Sequence, residues 1–134
     1  MDLNFQYAHH SHQQFDTVTD VSHSEAITAF DNFAWLVEAE KAQTLQKCLP
    51  TLSIIAEPEH KLLWISCYIE GNALHFNAET KFPASIPSYF GLSQTQGICD
   101  LCNPTFSQAQ ARKAVELFVS ESLDELEMHF NTRQ

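Results

Sequence analysis

The sequence predicts an α+β fold. One domain spanning residues 1–134 is expected, mainly an antiparallel sheet of about four to six strands with two principal helices packed on one face. Three observations predict it. Residues 51–82 read as a three-stranded meander, with alternating apolar positions and turn signals between the runs. Two segments with helical spacing and capping residues lie on either side of it. The chain has 134 residues, 44% of them hydrophobic and 11% aromatic, which suits one domain with one core.

Residues 1–21 are mixed. Leu3, Phe5 and Tyr7 alternate with polar residues and suggest a first strand, and residues 15–21 suggest its continuation or a second short strand. Between them sits His9-His10-Ser11-His12. Imidazoles ligate transition metals. This cluster has no Cys or carboxylate partner in a recognised pattern, so incidental histidines at a turn are expected.

Residues 22–47 read as one helix. Ser22 and Glu25 form a capping box. Ala26, Ile27, Phe30, Phe33, Ala34 and Val37 share a stripe that should pack on the sheet. Trp35 falls nearly opposite, with Thr28, Asp31, Asn32 and Glu38. It is either an interface anchor or covered by the N-terminal segment, and the second is expected.

In the meander, Leu52, Ile54 and Ala56 share one side of the first strand. Leu63, Ile65, Cys67 and Ile69 point to one face of the second, and Leu62, Trp64, Ser66 and Tyr68 to the other. Glu70-Gly71-Asn72 is a hairpin signal, because Gly and Asn accept positive φ. In the third strand Leu74, Phe76 and Ala78 oppose His75 and Asn77. One face is thus apolar and the other amphipathic, carrying Trp64, Tyr68, His75 and Asn77. Rings with polar tips are favoured in interface cores. A second helix or a loop over that face is the alternative.

Lys81-Phe82-Pro83 is read as the end of the sheet pattern and residues 82–105 as a long connection, with a short strand at 98–102. Residues 105–120 are the second helix, capped by Thr105 and Gln108 or by Ser107 and Gln110, with Ala111, Ala114, Val115 and Phe118 buried. Residues 126–130 alternate and are read as a last strand, with a helical continuation from Ser122 as the competitor.

Seventeen acidic and seven basic residues give a net charge of -10. That balance disfavours nucleic acid and anionic membranes and favours a basic partner. No run approaches the ~18 apolar residues of a membrane span. The opening residues lack a basic region followed by an apolar one, so no signal peptide is visible and a cytoplasmic location is expected. The four cysteines are then expected as free thiols, with Cys48 and Cys67 as small core residues. Cys99 and Cys102 form a lone Cys-x-x-Cys, the one candidate for zinc or dithiol chemistry. No nucleophile elbow, P-loop, dinucleotide-binding glycine pattern or His-Glu-x-x-His occurs. Neither an enzyme nor a cofactor is expected.

Three stretches carry a family resemblance: Ser22-His23-Ser24-Glu25-Ala26-Ile27-Thr28-Ala29-Phe30; the meander ending Leu74-His75-Phe76-Asn77 with Phe82-Pro83 after it; and Phe106-Ser107-Gln108-Ala109-Gln110-Ala111 leading to Ala114-Val115-Glu116-Leu117-Phe118-Val119 and a terminal strand. Together they resemble the small immunity proteins of bacterial polymorphic toxin systems, including those for contact-dependent and type VI secreted toxins. The common Gly-rich, Trp-ended versions differ from this chain. The resemblance implies stoichiometric blockade of one cognate toxin domain, basic in charge, by a monomer or homodimer. The contacts expected on that basis are Glu57, Glu59, Glu70, Glu79 and Asp100 as charges, with Trp64, Tyr68, Tyr89 and Phe90 as anchors. The alternatives are a metal- or thiol-dependent domain using Cys99 and Cys102, or another acidic binding module such as a phage inhibitor or a secretion chaperone.

Overall fold

The computed structural model describes residues 1–56, 60–87 and 94–131. Those residues form β1 (Asp2–Gln6), β2 (Asp16–Val18), α1 (His23–Asn32), α2 (Trp35–Leu45), β3 (Thr51–Ala56), β4 (Lys61–Glu70), β5 (Ala73–Pro87), β6 (Gln94–Phe106), α3 (Gln108–Val119) and α4 (Leu123–Phe130). The strands make one six-stranded sheet in the order β2-β1-β3-β4-β5-β6, antiparallel at every pairing. The architecture is α+β and mainly antiparallel, as expected, with four helices where two were expected.

The meander forms as read. Gly71 and Asn72 join β4 to β5 with φ of 60° and 65°. A two-residue loop with both residues left-handed matches the twist of the strands it joins. Alternation then sorts the sheet into two faces. Leu3, Leu52, Ile54, Leu63, Ile65, Cys67, Phe76 and Ala78 join Phe30, Trp35, Val115, Phe118, Leu126 and Phe130 in one buried cluster. The helices therefore sit on this face. α1 and α3 both begin with capping boxes, Ser22 with Glu25 and Ser107 with Gln110. Each box satisfies backbone N–H groups that the first turn leaves free.

Three expectations are corrected. The segment 22–47 is two helices. Phe33 is extended, at φ −68° and ψ 131°, and its N–H closes α1 on Ala29 and Phe30. The break turns Trp35 inward, to 2% exposure, where its Nε1–H donates to the Phe30 carbonyl at 3.0 Å. A continuous helix would have kept it on the polar side. Ala34 and Val37, expected on the buried stripe, are exposed instead.

Of residues 82–105, expected as a long connection, the described ones are strand: 82–87 lie in β5 and 94–105 in β6. β5 continues to Pro87 and pairs with β6 from Ala78–Asn103 to Pro87–Gln94. Prolines hid this in the sequence. Pairing of β4 with β5 ends at Leu62–Lys81, so Pro83 and Pro87 fall where, among the described residues, β5 has a partner on one side only. A strand proline is tolerated there, because its missing N–H breaks no ladder bond. Pro104 lies at an irregularity in the β5–β6 register.

Residues 126–130 belong to helix α4, not to a strand. Leu126 and Phe130 are buried four residues apart, whereas Met128 is 73% exposed. The helical period wins because Phe130 packs edge-on against Phe106, with centroids 5.3 Å apart. Asn103 Nδ2 also donates to the Phe130 carbonyl at 3.0 Å, which satisfies a free group at the helix end.

Two measurements check this packing. Phe76 is fully buried against Phe30 and Trp35. Phe76→Ala should lower the unfolding free energy in urea by about 3–5 kcal/mol. Arg112 donates to Asp31 through Nε at 2.8 Å and Nη2 at 3.0 Å, tying α3 to α1 and holding the Asp31 carboxyl below its ordinary pKa. A depressed carboxylate stabilises the fold above the ordinary carboxylate pKa, and that contribution fades as pH falls through the lower folded value. Asp31→Asn should therefore cost a small amount at neutral pH, the size of an exposed ion pair. Urea titrations should show the difference closing in acid.

Candidate interaction face

With the helices on one side, the other side of the sheet is bare of helix among the described residues. Register assembles it row by row. Asp2, Ile55, Leu62, Lys81 and Asp100 form one row. Thr17, Asn4, Ser53, Trp64, Glu79 and Cys102 form the next. Gln6, Thr51, Ser66 and Asn77 follow, and Tyr68 faces His75 beyond them. Ile55, Leu62, Trp64 and Tyr68 are half-buried, and none of them packs against the core cluster. Apolar surface arranged this way is what a macromolecular partner would cover.

The side chains here are held in place. Lys81 Nζ lies 5.5 Å from the centre of the Trp64 ring and 3.8 Å from Asp100 Oδ2. Tyr68 stacks on His75 at 5.5 Å and its hydroxyl donates to the Pro104 carbonyl at 2.7 Å. Cys102 Sγ lies 3.7 Å from Asn77 Oδ1 and 4.0 Å from Glu79 Oε1. Preset aromatic rings lose little rotamer freedom on binding, which lowers the cost of association.

Of the expected contacts, Trp64, Tyr68, Glu79 and Asp100 come together on this face. Glu70 stands exposed at the β4–β5 turn. Glu57, Glu59, Tyr89 and Phe90 lie outside the described residues. Lys81 and Cys102 were missed as members of the face. Alternation through Asn77 and Glu79 pointed to Lys81, but the neighbouring Pro83 read as a strand end.

The thiol pair does not converge. Cys99 and Cys102 are three residues apart on β6, and strand period two sends them to opposite faces. Cys99 packs on the helix side and Cys102 is exposed on the bare side. One metal ion cannot bridge them in this strand. Burial pushes the Cys102 thiol up, helped by the carboxylates of Glu79 and Asp100, and Cys67 is pushed up to about 12. Among His9, His10 and His12, the His10 ring is turned inward and its Nδ1 accepts from the Tyr7 N–H at 3.1 Å. Among the described residues no three His, Cys, Asp or Glu side chains form a metal-binding group.

These thiols give a direct check. A thiol held above its ordinary pKa is mostly protonated at neutral pH and alkylates slowly. Iodoacetamide at pH 7 should label Cys102 more slowly than a model thiol, and Cys67 only after unfolding. Rapid labelling of Cys67 in the native chain would contradict the packing.

No protein-family model matches the chain, and neither a curated protein nor a solved structure is significantly similar to it. Its function is therefore read from the bare face.

Proposed function

We propose that this protein is an immunity protein: a binding inhibitor that neutralises one cognate toxin domain by stoichiometric cover of its active or substrate-binding surface. The observation that carries the reading is the bare face, where Trp64 and Tyr68 stand half-buried and outside the core beside Glu79 and Asp100. A protein partner would desolvate the two rings, and its cations would meet the carboxylates. The net charge of -10 speeds encounter with a basic partner and repels nucleic acid. Against a nuclease, such carboxylates would stand where the phosphates of the substrate bind. Blockade of this kind asks no chemistry of the inhibitor. The reading places the protein in the cytoplasm of the producing cell, where a newly made toxin must be held inactive.

The test is capture from the native host, followed by identification of the bound protein. A toxin domain recovered in equal amount is the expected result. Glu79→Lys combined with Asp100→Lys should slow its association and make the remaining binding less sensitive to salt. Trp64→Ala should mainly raise the dissociation rate, by roughly tenfold or more. Cys102 should become protected from alkylation in the complex. Absence of any stoichiometric protein partner, or a partner indifferent to all three substitutions, would refute the proposal.

A further inference from the structure

The sheet has two edges, and they are treated differently. On one side β2 is only three residues long, Asp16–Val18. A short edge strand offers little for another chain to pair with. On the other side β6 runs thirteen residues, Gln94–Phe106, and pairs only with β5 among the described residues. Natural edges are blunted by lysine, proline, bulges or a covering segment. From Ile98 to Cys102 β6 has no lysine and no proline, its one charged residue is Asp100, and the pairing with β5 is regular. No backbone hydrogen bond from another described element reaches this stretch. Alternate N–H and C=O groups therefore face outward, and Ile98 beside them is 69% exposed.

The surroundings of this edge are acidic on both sides of the sheet. Asp100 of β6 and Glu79 of β5 lie on the bare face, and on the helix side α4, which packs against β6, carries Glu127. Lys81 is paired with Asp100 and lies one strand in. Charge argues about the occupant. A second copy would bring the same carboxylates together across a two-fold axis, between chains each carrying -10. An extended segment with lysine or arginine at alternate positions would meet them instead.

We propose that β6 is a strand-addition edge that takes an extended, basic segment of a partner protein onto the outside of the sheet. This deepens the inhibitor reading and rests on it. The added strand would draw affinity from main-chain hydrogen bonds, and its alternate side chains would set specificity against Asp100 on one face and Glu127 on the other. It would also extend the bare face sideways, so that one partner could contact edge and face together.

The experiment selects a displayed library of short random peptides against the immobilised full chain. The enriched sequences are synthesised, and hydrogen exchange is mapped with each bound. Alternating basic and apolar peptides are expected, with slowed exchange at amides of residues 98–102. Methylating the peptide nitrogens along one edge should weaken binding roughly tenfold or more, and methylating the other edge should not. Failure to enrich any such peptide would overturn the proposal. So would binding indifferent to methylation, or protection confined to α2 or to the bare face. A peptide-free chain that doubles in mass with β6 already protected would assign the edge to a second copy and also overturn it. Capture of a native partner that Trp64→Ala abolishes, alongside peptides indifferent to methylation, would sink the edge proposal alone. Capture of no partner at all would count against the inhibitor reading.

Discussion

Phe30, Trp35 and Phe76 meet where α1, α2 and the sheet converge. Their ring centroids lie 5.3 Å apart for Phe30–Trp35, 5.2 Å for Trp35–Phe76 and 6.1 Å for Phe30–Phe76. The Trp35 indole N–H also donates to the Phe30 carbonyl. Three large rings removed from water at one point outweigh any local preference of the segments that carry them. The extended backbone at Phe33 follows from this, because a straight helix cannot deliver both Phe30 and Trp35 to Phe76. Phe33 then stacks on Trp35 at 4.1 Å and on Phe5 of β1 at 6.3 Å, which ties the N-terminal strand to the same knot.

Gathering the helices to one side decides what the other side becomes. A sheet face without a helix is ordinarily polar. Here it holds Trp64, Tyr68, Leu62 and Ile55 among Glu79, Lys81 and Asp100. Those apolar side chains stand outside the monomer's core and keep part of their surface exposed. Burial by another molecule would use them, and the order imposed by Lys81, His75 and Pro104 reduces the entropy such burial must overcome. The bare face and the long β6 edge adjoin, and both are acidic.

Much of the architecture was legible because it is local. Alternation in β3 and β4 sorted Leu63 and Ile65 from Trp64 and Tyr68. Gly71-Asn72 announced its turn, and Ser22-Glu25 and Ser107-Gln110 marked two helix starts. The misreadings share another cause. Pro83 looked like a strand end, but a proline ends a strand only when its nitrogen faces a partner, and that depends on where β4 stops. The alternation of Leu126, Met128 and Phe130 looked like a strand, but a five-residue run fits either period. Docking of Phe130 on Phe106 selected the helix. Of the candidate contacts, alternation alone placed Trp64 and Tyr68 together. Glu79 and Asp100 joined them only through the β4–β5–β6 register.

The residues alone determined the charge, the meander, its turn and the two capped helix starts, because each depends on neighbours within a few positions. Only the tertiary structure decided where the first helix breaks, how far β5 and β6 run, and that residues 126–130 are helical. Those outcomes depend on contacts between residues distant in the chain: ring burial on Phe76 and Phe106 for the helices, and strand pairing for β5 and β6.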